Sequence, residues 1–351
     1  MSGFTITGSG RYVPGRPYTN HDLARVMDTD DEWIQKRTGI VQRHFCPDGQ
    51  GASDLAFEAA KVALADAGLA ATDLDYILFN TMTPDYVFPG SGPILGARLG
   101  CPGVPALDLR MQCAAMLFSL QIADGLFRAG VAKHILVVGA EAHAGFMPWR
   151  DWDILDGTSQ ARPSEQAWAL ATKHRGLAVI FGDGSGALVL SKSDQLGTGL
   201  LGLDLHTDGR LLDQLYLPTG FRQRPFVSES TLTQGTYVPE MVGREVFKHA
   251  VTKLPTSIRR ACEAAEVSLD DIEWFIAHQA NDRINDAVRE RLGVPAERMP
   301  SNIARYGNTS TGTIPILIDE MRRDGRLKTG QLVCLVALGA GIHWGSVVMR
   351  A

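Results

Sequence analysis

The second half of this 351-residue chain repeats the hydrophobic pattern of the first, and that repeat limits what the chain can become. A helical run from Lys253 to Glu266, then Ile272-Glu273-Trp274-Phe275-Ile276, echoes Lys61 to Gly68, then Leu74-Asp75-Tyr76-Ile77-Leu78. Leu292-Gly293-Val294-Pro295 echoes Leu99-Gly100-Cys101-Pro102, and Leu332-Val333-Cys334-Leu335-Val336 echoes Ile135-Leu136-Val137-Val138-Gly139. The offsets are 198, 193 and 197 residues (273 − 75, 292 − 99 and 332 − 135). Strand-length apolar runs that alternate with helical ones make an α/β chain. A repeat of the whole unit predicts two parallel-rich sheets packed around shared helices, with residues 1–190 in one half and 191–351 in the other. A pseudo-twofold axis between the halves would bring equivalent positions together at strand ends, where α/β proteins build sites.

Composition narrows the function classes. With 45% hydrophobic and 21% charged residues, the chain has enough apolar material for two cores. A net charge of −5 gives no global attraction to nucleic acid. Five cysteines without a CxxC pair fit a reducing compartment better than a disulfide framework. Met1-Ser2-Gly3-Phe4-Thr5-Ile6-Thr7-Gly8 lacks a basic region followed by an apolar one, and no stretch is apolar for membrane-spanning length. The expectation is a cytoplasmic protein with no membrane partner.

Local signals place the elements. Phe4 to Ser9 predicts a strand, Asn20 a helix cap, and Asp31 to Ile40 a short helix closed by Gly39. Ser53 to Gly68 predicts an amphipathic helix capped by Ser53, and Pro93 to Leu99 another helix. Residues 142–174 carry Trp149, Trp152 and Trp168 among polar residues with weak periodicity, and predict an excursion over the surface. Leu177 to Phe181 predicts a strand leading into Gly182-Asp183-Gly184-Ser185-Gly186. That glycine run lacks a Gly-Lys-Ser/Thr ending and precedes a strand, so it is no phosphate loop.

Three segments carry chemistry. Leu107-Asp108-Leu109-Arg110-Met111-Gln112-Cys113 delivers a cysteine to the start of an apolar helix running to Arg128. A helix N-terminus favours an anion, which predicts a depressed thiol pKa. His278, in Ala277-His278-Gln279-Ala280-Asn281, follows a strand and faces a cleft in this reading. Asn308 opens a turn of small hydroxyl residues, Asn308-Thr309-Ser310-Thr311-Gly312-Thr313, before a helix from Ile314. An offset of 197 relates Cys113 to Ser310, so the repeat itself draws this turn to the cysteine. Cys, His and Asn serve two chemistries: papain-like hydrolysis, and decarboxylative condensation in which His and Asn donate to a thioester enolate. The papain-like sequence context is absent, and that fold is not a duplicated α/β layer. His278 has no companion read as a metal ligand, so no metal site is predicted.

Taken in order, the motifs resemble the β-ketoacyl-acyl-carrier-protein synthase III family, condensing enzymes of the thiolase superfamily. The matching residues span the chain: Thr29-Asp30-Asp31-Glu32-Trp33-Ile34 with Arg37-Thr38-Gly39-Ile40; Cys113; Phe181-Gly182-Asp183-Gly184-Ser185-Gly186-Ala187; Glu245-Val246-Phe247-Lys248; His278-Gln279-Ala280-Asn281; Tyr306-Gly307-Asn308-Thr309-Ser310; and Trp344-Gly345-Ser346. The resemblance implies a thiolase-like fold of duplicated α/β layers (α-β-α-β-α) with pseudo-twofold symmetry. It implies that Cys113 takes an acyl group from acyl-CoA and that His278 and Asn308 stabilise the enolate formed when malonyl-carrier protein loses CO₂. The backbone N–H groups of Cys113 and Ala340 would form the oxyanion hole. Trp33, Arg37, Arg175, Gly243, Phe247, Asn281 and Arg283 match CoA and pantetheine contacts. Arg244, Lys248, Arg283 and Arg291 would offer positive charge to the acidic carrier protein that the resemblance implies, the alternative being ordinary solvated surface. Phe88 matches a residue that reaches a partner subunit's acyl pocket, which implies a homodimer; Met111, Met116 and Leu338 would complete that pocket. CoA thioester enters as substrate, and no resident cofactor is implied.

The chain departs from the family pattern near the nucleophile, in Arg110-Met111-Gln112-Cys113-Ala114-Ala115-Met116, and at Ala277, Leu338, Ala340 and His343. The excursion at 142–174 is longer than is usual, which weakens the match at Arg175. These departures leave open a relative that uses an unusual acyl group or acceptor. A non-catalytic partner subunit is disfavoured because Cys113, His278 and Asn308 are all present.

Overall fold

A computed structural model describes residues 3–351; Met1 and Ser2, part of the N-terminal segment read above, lie outside the described residues. Nine main strands form two sheets. In the first, the order is Gly3–Tyr12, Gly184–Ser193, His134–Glu141, Tyr76–Asn80, Ala106–Leu109. The second runs Trp274–Ala277, Leu332–Gly339, His343–Arg350, Gly199–Thr207. The duplication is plain in the bounds: Tyr76 corresponds to Trp274 and His134 to Leu332, each 198 positions on (274 − 76 and 332 − 134).

The sheets are mixed rather than parallel-rich. Tyr76–Asn80 is parallel to both its neighbours, and Trp274–Ala277 is parallel to Leu332–Gly339, but every other pair in the two sheets is antiparallel. The reason is local. A turn of three residues after Gly339 returns the chain alongside itself, and a turn that short permits only antiparallel pairing.

Helices Ala115–Arg128 and Thr313–Arg323 each touch strands of both sheets and form the central layer. Helix Ala52–Ala67 covers the outer face of the first sheet, and Gly243–Ala264 that of the second. The result is the five-layer α-β-α-β-α order. The outer helices seat by the same device in both halves. A Cβ on Gly8 would meet the Ala63 carbonyl and Ala67 amide, and one on Gly202, 194 positions on, would meet those of Ala261 and Ala265, each 198 positions on. Glycine at these two places lets helix backbone lie directly against strand.

Several local expectations are corrected. The cap of the first short helix is Thr19; Asn20 is buried and donates to Asp31 and the Ile40 carbonyl. Gly51 precedes helix Ala52–Ala67, so Ser53 is inside it, with its hydroxyl donating to Asp85. The helix expected from Pro93 spans Ser91–Arg98, and the run from Lys253 is the second part of a 22-residue helix. Leu177 to Phe181 is not a strand: a helical turn, Arg175–Ala178, leads into it. The excursion at 142–174 is not superficial either. Met147, Trp149, Ile154, Leu155 and Ala171 are buried in one apolar cluster with Leu23, Ile34 and Phe45. Polar residues between them hid the pattern, since short helices Trp152–Asp156 and Glu165–Lys173 each bury only one side.

Candidate active site

Cys113 lies in a single 3₁₀ turn, Gln112–Ala114, between strand Ala106–Leu109 and helix Ala115–Arg128. Gln112 turns the chain there at φ 46°. Its repeat-mate Ser310 opens the turn Ser310–Gly312 at φ 47°, so both halves enter their central helix through one strained corner. The true offset is 198 rather than 197 (310 − 112). The two corners meet: the Cys113 thiol donates to the Ser310 hydroxyl at 3.4 Å. Gly339, at the end of its strand, lies directly against Cys113, because a Cβ there would lie 2.9 Å from the Cys113 amide nitrogen.

His278 follows strand Trp274–Ala277, its amide donating to the Val336 carbonyl. Its Nδ1 shares a 2.7 Å hydrogen bond with the Thr313 hydroxyl, which also reaches the Ser310 carbonyl at 3.0 Å. Nε2 is buried without a partner. Asn308 is held at both backbone groups, donating to the Ile180 carbonyl and accepting from the Gly182 amide. Its Oδ1 accepts from the Ser310 amide at 2.7 Å. That bond fixes the side-chain amide and leaves the Nδ2 donors as the group offered to substrate.

Burial sets the resting protonation. It pushes the Cys113 thiol up to about 12, against the lowering effect of the Ser310 hydroxyl; the buried carboxylate of Glu141 pushes the same way as burial. The expected depressed pKa is therefore corrected. Helix Ala115–Arg128 begins two residues beyond Cys113, and desolvation outweighs what its terminus supplies. Burial likewise takes His278 down to about 3, so thiol and imidazole rest as a neutral pair. Since an unfolded imidazole titrates near about 6.5, His278 contributes stability above that pH and loses it as pH falls toward 3.

A cavity of about 530 Å³ holds Cys113, His278 and Asn308 in one wall system with Trp33, Arg37, Gly243, Phe247, Asn281 and Arg283. Arg175 is outside the walls, yet its guanidinium, like that of Arg37, lies over the Trp33 ring, at 4.9 Å and 4.3 Å from the centroid. Of the proposed carrier-protein residues, Arg244 and Arg283 line the cavity. Lys248 pairs with Glu245, and Arg291 donates to the Val251 carbonyl. Leu338 is the one expected acyl-pocket residue in the walls. Met116 is buried in the central core, Met111 packs at its edge, and Phe88 is 81% exposed on the surface. Ala340 occupies the turn one residue beyond Gly339. Thr313 and Gly339 were missed in the sequence; the only signal was the density of hydroxyl residues and glycines around them.

Of the five cysteines, Cys113 alone opens onto the cavity, and all five thiols are pushed up by burial. Iodoacetamide should therefore modify Cys113 first. Its rate should climb about tenfold per pH unit with no plateau below about pH 10, following the thiolate fraction. A plateau near neutral pH would reveal a thiolate–imidazolium pair instead.

Comparison with known proteins identifies the family. The family model for 3-oxoacyl-[acyl-carrier-protein] synthase III matches residues 107–158 and 166–209, and the model for its C-terminal part matches 262–351. The break between 158 and 166 falls inside the excursion. The β-ketoacyl-[acyl-carrier-protein] synthase III of Rhodobacter capsulatus is 40% identical over 349 residues, and that of Caulobacter vibrioides 41%, each match covering 98% of both chains. Among solved structures, 3-oxoacyl-[acyl-carrier-protein] synthase III from Aquifex aeolicus superposes with a TM-score of 0.84 at 34% identity, covering 99% of this chain and 100% of that one. The Thermus thermophilus synthase III gives 0.84 at 37%, covering 99% of each. The chain belongs to the 3-oxoacyl-[acyl-carrier-protein] synthase III family of condensing acyltransferases, with the thiolase-like fold.

Proposed function

We propose that the chain condenses an acyl-CoA primer with malonyl-carrier protein, using Cys113 as nucleophile. The observation that carries this reading is the single cavity in which Cys113, His278 and Asn308 meet below Trp33, Arg37 and Gly243. In the first half-reaction Cys113 Sγ attacks the thioester carbonyl, the bond to CoA sulfur breaks, and the thiol proton leaves with CoA. The backbone N–H groups of Cys113 and Ala340 stabilise the tetrahedral oxyanion, each worth about 2.7–4 kcal/mol. In the second, the malonyl C–CO₂⁻ bond breaks, CO₂ departs, and the electron pair forms an enolate. That carbon attacks the acyl-cysteine, the bond to Cys113 Sγ breaks, and the departing thiolate takes a proton from solvent.

His278 serves the second step as a neutral donor. A neutral imidazole carries one proton, and the Thr313 hydroxyl also has one, to give either to Nδ1 or to the Ser310 carbonyl. When Thr313 donates to Nδ1, the imidazole proton sits on Nε2, where it can bond the enolate oxygen beside Asn308 Nδ2. The adenine end of CoA packs at Trp33 and Arg37, with Arg175 nearby, and the pantetheine arm runs past Gly243, Phe247, Asn281 and Arg283. Arg244, Lys248, Arg283 and Arg291, all exposed, offer positive charge to an acidic carrier protein. Tyr86, Val87 and Phe88 form an exposed apolar stretch that a second copy of the chain would bury as a homodimer. No resident cofactor takes part. Cysteines free in every described position support a reducing, cytoplasmic setting, and no helix among the described residues is long and apolar enough to cross a membrane.

The test is stoichiometry. Acyl-CoA and malonyl-carrier protein should give one CO₂ and one 3-oxoacyl-carrier protein for each CoA released. CoA release with free acid and no CO₂ would instead describe a thioesterase.

A further inference from the structure

Outside the cavity walls, a chain of buried polar side chains joins the segment that carries His278 to the one that carries Asn308. Gln279, next to His278 and fully buried, uses both ends of its amide. Its Nε2 donates to the Ala277 carbonyl at 2.8 Å. Its Oε1 accepts from the Asn302 amide at 3.2 Å and faces the Ser301 hydroxyl, whose single proton it shares with Asp282. Asn302 carries the link onward, its Nδ2 donating to Glu320 at 2.9 Å. The same carboxylate accepts from Arg305 at 2.8 Å and from the Tyr306 hydroxyl at 2.7 Å. Three donors from one short stretch thus converge on one buried carboxylate.

The placement of these bonds gives them a use beyond stability. Glu320 belongs to helix Thr313–Arg323, whose first residue bonds His278 Nδ1. A closed circuit results. It runs from the imidazole to Thr313, about 10 Å along the helix to Glu320, across to Asn302, and back through Gln279. Asn308 hangs from this circuit. The helical turn Ile303–Tyr306 starts beside Asn302, Tyr306 is anchored on Glu320, and Gly307 at φ 63° leads into Asn308. The backbone bonds of Asn308 to Ile180 and Gly182 fix only the far end of that stretch. Gln279, Asn302, Tyr306 and Glu320 all lie outside the walls, so they act on substrate only through the residues they hold.

We propose that Gln279 and Glu320 are positioning residues for the malonyl half-reaction, setting the separation between His278 Nε2 and Asn308 Nδ2. The proposal rests on the functional reading above, which gives those two donors the enolate oxygen to bind. Two donors must converge on one developing oxyanion, and a misplacement of about 1 Å costs about a hundredfold in rate. Glu320 serves its three donors because both of its oxygens accept. A glutamine there would turn an NH₂ group towards either Tyr306 or the Asn302 and Arg305 donors. Cys113 stands apart from these links: its thiol bonds Ser310, and its backbone lies against Gly339.

The experiment compares CO₂ release from malonyl-carrier protein with acyl transfer from acyl-CoA to Cys113 in the full-length protein. The variants are Glu320→Gln, Gln279→Ala, Asn308→Ala and the double variant Glu320→Gln/Asn308→Ala. Glu320→Gln and Gln279→Ala should each lower kcat for decarboxylation about ten- to a hundredfold, while its KM and the acylation rate change less than about threefold. On the Asn308→Ala background, Glu320→Gln should cost less than about threefold more, because the donor it positions is gone. Gln279→Ala decides the matter if Glu320→Gln does not fold. Equal losses in the two half-reactions, or the full loss repeated on the Asn308→Ala background, would reveal a merely structural role and overturn the proposal. Unchanged decarboxylation in both single variants would overturn it as well. Failure of the wild type to release CO₂ would instead remove the proposed function itself.

Discussion

Replacing His278 or Asn308 with alanine should lower malonyl-carrier decarboxylation by about 10²–10³-fold while Cys113 acylation falls less than tenfold. The separation follows from what each group can do at rest. Asn308 accepts from Ser310 through Oδ1 and is pinned by Ile180 and Gly182, so Nδ2 is aimed without reorganisation. His278 is neutral throughout the working range because burial takes it to about 3. It therefore contributes a dipole to the enolate and no charge to the thiol. For the same reason decarboxylation should show no inflection from His278 between about pH 5 and 8. The measurement is a pair of rates for each variant: CO₂ release from malonyl-carrier protein, and acyl transfer from acyl-CoA followed by mass. Equal losses in both would assign His278 a general-base role towards Cys113 and contradict the division drawn here.

Cys113→Ala should lose condensation by at least about 10⁴-fold, a loss of the size seen when other covalent enzymes lose their nucleophile. The substitution removes one sulfur from a buried turn whose shape is set by Gln112 and Gly339 rather than by the thiol. The variant should therefore fold, with stability changed by about 1 kcal/mol. Malonyl decarboxylation should persist, because His278 keeps its bond to Thr313, and Thr313 and Asn308 each keep theirs to Ser310. Retained condensation would show that the malonyl carbanion attacks acyl-CoA directly, without an acyl-enzyme.

The repeat made the architecture legible: a shift near 198 residues carries strands, helices and the glycine-to-helix seats from one half to the other. It also draws Cys113 to Ser310, since one corner serves both central helices. What the sequence hid was desolvation. A cysteine at a helix start signals a low pKa only when water or a cation is near, and Cys113 has the opposite surroundings. Trp149 misled for a related reason: Pro148, Arg150 and Asp151 beside it suggest surface, yet its ring packs against Phe45. The acyl-pocket expectation failed at Met111 and Met116 because neighbours in sequence to a nucleophile point wherever the helix turns them, here into the core. Thr313 was invisible because its role depends on a hydrogen bond across two elements, for which spacing gives no cue.

The claim on which the rest depends is that an acyl group rests on Cys113 between the two half-reactions. Isotopically labelled acyl-CoA, mixed with the protein and quenched in acid within milliseconds, followed by peptide mapping, tests it most directly. The account predicts one acyl group per chain, on the Cys113 peptide alone, discharged when malonyl-carrier protein is added. Label on any other cysteine, or full turnover without labelled Cys113, would contradict it.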